Sequence, residues 1–187
     1  MSTKSKLPNW KVIHTIIFDF DGIFTNNKVW VNKDGTEFVC CDRGDGLGID
    51  ILKIFSKENS WKVKLMILSK ESNAVVSTRA KKLGLDCYHD VSNKLNFIKK
   101  YVQKNFPDKV NANEGIVYLG NDLNDYLAIS YVGYSVAPSD SHSIVKNIAD
   151  IVLDREGGNG FVRLFVEELL KVELFEGDNI NKIIKKL

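Results

Sequence analysis

The fold is decided by the stretch Thr15-Ile16-Ile17-Phe18-Asp19-Phe20-Asp21-Gly22-Ile23-Phe24-Thr25. Its first four residues form a short run of β-branched and aromatic side chains without polar alternation, a pattern typical of a buried strand. Asp19 and Asp21 follow at the carboxyl end of this strand, where open α/β sheets place their ligand sites. Because Asp and Gly are also ordinary turn residues, a surface turn that only closes the strand is the competing interpretation.

The chemistry that suits this pair of acids is phosphoryl transfer through an aspartyl-phosphate. Asp19 would be the nucleophile, since a carboxylate can form a covalent intermediate. Asp21 would protonate the leaving alcohol and then deprotonate the water that hydrolyses the intermediate. Because a carboxylate repels a phosphate ester, this hypothesis requires a hard cation such as Mg²⁺, which prefers oxygen ligands.

Composition and charge narrow the class of protein. The chain has 187 residues, 44% of them hydrophobic and 27% charged, which suits one globular domain with a sizeable core. The formal net charge of +2 argues against a dedicated nucleic-acid surface, and no apolar run reaches the roughly 20 residues of a membrane helix. Residues 1–10 lack the apolar core of a signal peptide. Three cysteines without CxxC spacing indicate reduced thiols, so we expect a cytoplasmic protein.

Strands and helices alternate along the rest of the chain. Residues 28–40 are predicted to form a β-hairpin around an Asp-Gly turn, and residues 41–48 a Gly-rich turn before a helix from about Ile49 to Ser56. Further strands are predicted at 63–69, 115–120, 134–137 and 150–153, and further helices at 73–83, from 93 onward, at 142–147 and at 161–170. The alternation predicts a doubly wound, mostly parallel α/β sheet in a single domain spanning residues 1–187.

Four motifs at predicted strand ends and helix starts belong together. In order they are Asp19-x-Asp21, Ser69, Lys94 and Gly120-Asn121-Asp122-x-x-Asp125. This order on these elements resembles the haloacid dehalogenase (HAD) superfamily of phosphotransferases, from about residue 12 to residue 170. The resemblance implies a Rossmann-like core and a Mg²⁺-dependent enzyme. The presence of Asp21 favours a phosphatase over a dehalogenase, which lacks the second acid.

The resemblance also implies roles for individual residues. Asp19 would bind Mg²⁺ through its side chain and Asp21 through its backbone carbonyl, and the loop after Gly120 would supply a distal ligand. Ser69 would hold the transferring phosphoryl oxygen, unless it merely caps the following helix. Lys94 would neutralise nucleophile and phosphate, unless it is a solvated helix residue.

The loop that follows Gly120 departs from the common family pattern. Close relatives often carry two adjacent acids here, whereas this chain has Asn121 and then Asp122. An amide oxygen can still bind a metal, although it brings no charge. Either residue could therefore be the distal ligand. Asp125 could orient the loop without binding the metal itself.

The short insert resembles that of the capless sugar-acid phosphatases within the superfamily. Only the hairpin at 28–40 follows the acidic motif, which leaves no room for a cap domain. Members of that group are typically homotetramers in which a neighbouring subunit closes each active site. The tail at 171–187 is accordingly expected to dock on a neighbouring subunit. The resemblance also places Thr25 and Arg43 among the residues that bind the phosphorylated sugar acid.

One segment bears on the choice of sugar acid. Enzymes for 3-deoxy-octulosonate 8-phosphate typically have an Arg two residues after the second motif, but this chain has Glu71. Glu71, Arg79 and Lys82 resemble the branch that acts on nonulosonate 9-phosphates of the sialic-acid type, where the two cations come from a neighbour and hold the substrate carboxylate. An exposed charged helix face is the competing interpretation. The nonulosonate substrate is therefore the leading prediction, and the octulosonate substrate is the alternative. A weakly active assembly module beside a CMP-sugar synthetase is an alternative of another class.

Two further residues keep structural interpretations. His142 is expected to lie at the surface or at a helix start rather than to bind a ligand. Arg163 could simply pair with a carboxylate, and its role is left open.

Overall fold

A computed structural model describes residues 6–187 of the chain, the side chain of Asn179 excepted. The strands are β1 (Thr15–Phe18), β2 (Thr25–Val31), β3 (Glu37–Cys41), β4 (Lys64–Leu68), β5 (Asp86–Tyr88), β6 (Ile116–Leu119), β7 (Tyr134–Pro138) and β8 (Ile151–Leu153). The helices are α1 (Arg43–Glu58), α2 (Val75–Leu83), α3 (Lys94–Asn105), α4 (Tyr126–Ile129), α5 (Ser143–Ile148), α6 (Phe161–Leu170) and α7 (Asp178–Ile184). The prediction that residues 1–10 lack the apolar core of a signal peptide falls in part on residues 1–5, which lie outside the described residues. Across residues 6–187, no helix is both long enough and apolar enough to cross a membrane.

Six strands form one parallel sheet in the order β5-β4-β1-β6-β7-β8, which confirms the predicted fold class. All four residues of β1 are buried, as expected for a strand covered on both faces. Phe18 is paired with Ile67 on one side and with Leu119 on the other. The chain builds the sheet outward from β1 in both directions, so the end of β1 lies at the switch point where such sheets bind ligands.

The hairpin forms a separate two-stranded antiparallel sheet of β2 and β3. It spans residues 25–41, slightly more than the predicted 28–40. Within residues 19–42, all of which the structure describes, this hairpin is the whole insert between β1 and α1. Its apolar side chains are mostly solvent-exposed, and Trp30 is 73% exposed.

The predicted Gly-rich turn at 41–48 is wrong, because α1 already begins at Arg43. The Asp42 carboxylate accepts a hydrogen bond from the Gly44 N–H at 2.5 Å and caps the helix. Gly48 allows α6 to approach closely, since a Cβ there would lie 2.9 Å from Arg163 Cα. Glycines are typical of turns, but here Gly44 takes part in the helix cap and Gly48 allows close helix packing.

The tail packs on its own chain. Ile183 of α7 is buried in the core, Phe175 stacks on Phe55 of α1 at a centroid distance of 5.9 Å, and Lys186 pairs with Glu58. Ile183 and Phe175 of the tail therefore have partners within the chain, whereas Ile184 is exposed. Docking of the remaining tail residues on a neighbour stays a prediction.

The turn between β8 and α6 packs against the backbone that follows β1. A Cβ on Gly157 would lie 1.9 Å from the Gly22 carbonyl oxygen, and the Gly158 N–H donates to the Ile23 carbonyl at 3.0 Å. No side chain fits between these two segments. The sequence Gly157-Gly158 is thus explained by the need to support the acidic loop.

We expect Gly157→Ala to destabilise the fold, because backbone on both sides prevents the new methyl group from being accommodated. Overpacking of this kind costs about 1–3 kcal/mol, measured as the free energy of unfolding in urea. The matched control is Gly46→Ala in α1, where the added Cβ would meet Leu83 at an ordinary 3.5 Å. The control should stabilise the helix by about 0.5–1 kcal/mol. Equal stability changes in the two variants would contradict the packing argument.

Candidate active site

A polar cavity of about 360 Å³ lies at the edge of the sheet where β1, β4 and β6 end. Oxygen-bearing side chains make up most of its wall. The lining residues are Asp19, Asp21, Asn27, Ser69, Lys70, Glu71, Ser72, Asp90, Asn121, Asp122 and Asn124. The cavity thus brings together the predicted nucleophile, the predicted acid/base and the predicted metal loop, and it excludes the interpretation of Asp19-x-Asp21 as a plain surface turn.

A buried lysine joins two of the predicted motifs. Lys94 Nζ lies 2.8 Å from Asp19 Oδ2 and 2.7 Å from Asp125 Oδ1, and the three side chains are at most 5% exposed. The Asn93 side chain caps α3 by accepting from the Asn96 N–H, so Lys94 is the first residue of the helix at the sheet edge. The interpretation of Lys94 as a solvated helix residue is wrong.

The charge balance of this cluster shifts the pKa values of its members. Burial raises the pKa of Asp19 to about 8, and the Asp125 carboxylate adds to the rise while Lys94 opposes it. For Lys94, burial acts to lower the pKa, but the two carboxylates prevail and raise it. Lys94 therefore keeps its charge between two acids. A further cation at Asp19 would favour the ionised carboxylate that a nucleophile needs.

Thr25 lies behind the site and does not line the cavity among the described residues. Its buried hydroxyl donates to Asp21 Oδ1 at 3.3 Å and accepts from the Gly22 N–H at 3.3 Å and the Asn27 N–H at 3.1 Å. The Thr25 hydroxyl therefore orients Asp21, and its predicted substrate-binding role stays a prediction. Burial raises the pKa of Asp21, and the Glu71 carboxylate adds to the rise, which suits a group that must carry a proton.

Ser69 and Glu71 line the cavity after β4, the strand paired with β1. Ser69 is buried, and its hydroxyl accepts from the Glu71 N–H at 3.0 Å. It does not cap α2, because that helix begins six residues later and its N-cap is Ala74. The Glu71 carboxylate accepts from the Asn73 N–H at 2.8 Å while its side chain lines the cavity.

Oxygen donors of the kind that suit a hard metal line the cavity. The Asn121 side chain packs against the Gly22 backbone, which has a φ of +76°. A Cβ on Gly22 would lie 1.9 Å from the Asn121 amide nitrogen. Asp122 instead accepts from the Leu123 N–H at 2.7 Å and caps that turn. Within residues 6–187, no three His, Cys, Asp or Glu side chains form a group able to hold a metal. An ion here would need amide or backbone oxygens beside Asp19, and Asn121 and the Asp21 carbonyl could supply them.

Three cations predicted to bind the substrate lie apart from the cavity: Arg43, and the predicted carboxylate-binding residues Arg79 and Lys82. Arg79 donates to the Asp42 backbone carbonyl at 3.0 Å, while Arg43 and Lys82 are exposed. None of the three is among the described residues that line the cavity. Their contact with a substrate thus stays a prediction that needs a neighbouring subunit. Lys70, which the sequence analysis did not single out, is the cation on the cavity wall.

The structure also shows the positions of His142, Arg163 and Asp90. The His142 side chain accepts from the Ile144 N–H at 3.2 Å and caps α5, which confirms its position at a helix start. Arg163 pairs with Glu167 one turn further along α6. Asp90 also lines the cavity. The sequence analysis did not predict it, because Asp90 follows β5, a strand of three residues with little sequence signal.

With this geometry in hand, comparison with known proteins gives the family. Residues 42–165, more than half of the chain, match the haloacid dehalogenase-like hydrolase family. The chain belongs to this family. The matched part contains Ser69, Lys94 and Asn121, whereas Asp19 and Asp21 precede it.

Individual relatives of this HAD protein place it more narrowly. The 3-deoxy-D-manno-octulosonate 8-phosphate phosphatases of Escherichia coli K12 and Salmonella typhi are each 29% identical over 159 residues, 84% of this chain and 79% of theirs. A structure from Streptomyces avermitilis assigned to the HAD family of hydrolases is 33% identical with a TM-score of 0.81, and covers 91% of this chain and 92% of that one.

A Moraxella catarrhalis structure extends this likeness. It is a 3-deoxy-D-manno-octulosonate 8-phosphate phosphatase in complex with magnesium, phosphate and KDO, 27% identical with a TM-score of 0.77 over 94% of both chains. Together with the other relatives it confirms the resemblance to the sugar-acid phosphatases of the superfamily.

We expect Asn121→Ala to weaken Mg²⁺ binding more than Asp122→Ala does, because Asn121 faces the acidic loop and Asp122 caps a turn. We expect the Kd for Mg²⁺ to rise about tenfold or more, measured by titration calorimetry without substrate. Asn121→Asp should tighten binding, since it adds a charge at the same place. A larger loss in Asp122→Ala would make Asp122 the ligand.

Proposed function

We propose that this HAD enzyme is a Mg²⁺-dependent phosphatase that hydrolyses 3-deoxy-D-manno-octulosonate 8-phosphate. The observation that carries the chemistry is the buried Asp19–Lys94 pair beside Asp21 in a polar cavity. The enzyme class, a phosphatase, is confirmed by the family and by the relatives. The choice of sugar acid is supported by relatives that carry this activity in their names.

The first half-reaction transfers the phosphoryl group to Asp19. Lys94 Nζ and the Phe20 N–H hold the two oxygens of the carboxylate, at 2.8 and 2.7 Å, so its orientation is fixed before substrate enters. As the Asp19 oxygen–phosphorus bond forms, the bond from phosphorus to the sugar oxygen breaks. Asp21 donates its proton to that oxygen, and the sugar acid leaves as an alcohol.

The second half-reaction regenerates the enzyme. Asp21, now ionised, takes a proton from a water molecule, and the water oxygen bonds to phosphorus as the Asp19–phosphate bond breaks. The Thr25 hydroxyl keeps Asp21 in place through both proton transfers. Ser69 also lines the cavity, and its hydroxyl can donate to a phosphate oxygen because the Glu71 N–H uses only its lone pair.

The expected cofactor is Mg²⁺, the ion present in the Moraxella structure. Asp19, the Asp21 carbonyl and Asn121 would hold it, a set of oxygens that suits a hard cation. When bound, the ion supplies positive charge that offsets the repulsion between phosphate and carboxylates. The protein itself brings Lys94 against Asp19 and Lys70 on the cavity wall, and acids outnumber these two cations among the described residues of the site.

The sequence prediction that preferred a nonulosonate 9-phosphate is not supported by the relatives, which favour the octulosonate alternative. One observation keeps the longer substrate as a second candidate. Glu71, rather than an arginine, lines the cavity. The assembly-module alternative is disfavoured, because Asp19, Asp21, Ser69 and Lys94 are brought together at the site. A homotetramer and a cytoplasmic location stay predictions.

The substrate is tested by phosphate release from the octulosonate 8-phosphate, a nonulosonate 9-phosphate and an aryl phosphate under matched conditions. We expect the highest kcat/KM for the octulosonate, because one carbon more or less in a fitted site is worth about 10- to 200-fold. Preference for the nonulosonate would restore the first sequence prediction. Absence of turnover on all three substrates would favour the assembly module.

The nucleophile is tested by Asp19→Asn, which keeps the shape of the side chain and removes its charge. Turnover should fall to less than about one thousandth, with unfolding little changed. The matched control, Asp34→Asn in the exposed hairpin turn, should keep full activity. Substantial residual turnover in purified Asp19→Asn would contradict the covalent mechanism.

The role of Glu71 is tested separately by Glu71→Gln. If Glu71 contacts the sugar, the variant should lose roughly tenfold or more in kcat/KM on the preferred sugar acid. It should keep most of its activity on aryl phosphate, which has no sugar to contact. Equal losses on both substrates would mean that Glu71 acts on the fold or on Asp21.

A further inference from the structure

Behind the lysine cluster lies a buried tyrosine that neither the sequence analysis nor the mechanism uses. Tyr118 on β6 is fully buried, and its hydroxyl donates to Asp125 Oδ1 at 2.6 Å. The same carboxylate oxygen accepts from Lys94 Nζ at 2.7 Å. Two donors therefore converge on one oxygen of Asp125, one from the sheet and one from α3.

The other oxygen of Asp125 holds the loop that carries the expected metal ligand. Asp125 Oδ2 accepts from the Asn121 N–H at 2.9 Å and from the Asp122 N–H at 3.3 Å. Asp125 thus connects Lys94, which contacts Asp19, with the backbone that places Asn121. A rotation of this carboxylate would disturb both sides of the site at once.

The backbone is shaped to let the tyrosine and Asp125 meet. A Cβ on Gly120 would lie 2.7 Å from Tyr118 Cε1 and 2.7 Å from Asp125 Cγ, so any side chain there would force the two apart. The tyrosine ring is fixed by apolar neighbours of its cluster, among them Ile98 and Ala128. Burial raises the pKa of Tyr118 well above its usual range, so the hydroxyl keeps its proton and stays a donor.

We propose that Tyr118 is a positioning residue, whose hydroxyl fixes Asp125 so that Lys94 and the Asn121 loop are held in register with Asp19. Without this donor, Asp125 Oδ1 would keep only Lys94 and would draw it away from Asp19. The carboxylate would also be free to rotate away from the loop amides. The expected effect on kcat rests on the proposed function, whereas the expected effect on Mg²⁺ affinity rests on the metal loop alone.

The test is Tyr118→Phe, which keeps the ring and removes the hydroxyl. We expect Mg²⁺ binding without substrate to weaken several-fold and kcat on aryl phosphate to fall about 10- to 100-fold, the range for groups that orient metal ligands. KM should change less than kcat, because the tyrosine does not line the cavity. Wild-type kcat and Mg²⁺ affinity in this variant would overturn the proposal.

The matched control is Tyr101→Phe. Tyr101 is half-buried, and its hydroxyl bonds to the Thr15 hydroxyl at 3.1 Å, away from the catalytic cluster. The control also loses one hydroxyl contact, but its kcat and Mg²⁺ affinity should equal those of the wild type. Equal losses in the two variants would mean that only general stability has changed, which would also overturn the proposal.

A double-mutant cycle with Asp125→Asn shows whether Tyr118 acts through Asp125. In that background, Tyr118→Phe should change kcat by less than about twofold, because the groups act as one unit. Additive losses would overturn the proposal. If Asp125→Asn does not fold, the comparison of Tyr118→Phe with Tyr101→Phe decides alone. A failure of the wild type to hydrolyse the sugar phosphate would refute the proposed function but leave the Mg²⁺ result for Tyr118 standing.

Discussion

The structure depends on one buried ammonium group held between two carboxylates. Placing an isolated ammonium in a protein interior costs several kcal/mol even after relaxation, so Lys94 requires both Asp19 and Asp125. Three separate elements deliver these groups: Asp19 directly follows β1, α3 begins with Lys94, and Asp125 closes the turn after β6. The parallel sheet brings the three together, because its strand ends and helix starts share one edge.

The two carboxylates of this cluster are treated differently by their surroundings. Asp125 is saturated with donors from Tyr118, Lys94 and two backbone amides, so its charge is fully engaged inside the protein. Asp19 has one backbone donor and the lysine, and it lines the cavity. Asp125 therefore has a structural role, whereas Asp19 is available for chemistry.

The sequence was sufficient for five of the six strands of the sheet and for Asp19 and Asp21, because a buried strand followed by Asp-x-Asp gives a strong local signal, but it missed β5 and the Asp90 that follows it. It misled where one residue type serves two purposes. The glycines at 44 and 48 are typical of a turn, yet Asp42 caps the helix at Gly44 and Gly48 packs against Arg163 in α6. The sequence also does not reveal that the Thr25 hydroxyl bonds to Asp21 within the protein. Tyr118 gave no signal because an aromatic residue in a strand is normally core, and its role depends on a contact with the loop beyond Gly120.

The contact of Gly157 with Gly22 has a consequence for how the protein becomes active during synthesis. The acidic loop near the amino terminus is supported by a turn that emerges from the ribosome much later. A nascent chain that ends before this turn contains every motif of the site but lacks the backbone that supports Gly22 and Ile23. The acidic loop can therefore take up its final packing only after the turn at Gly157 has been synthesised.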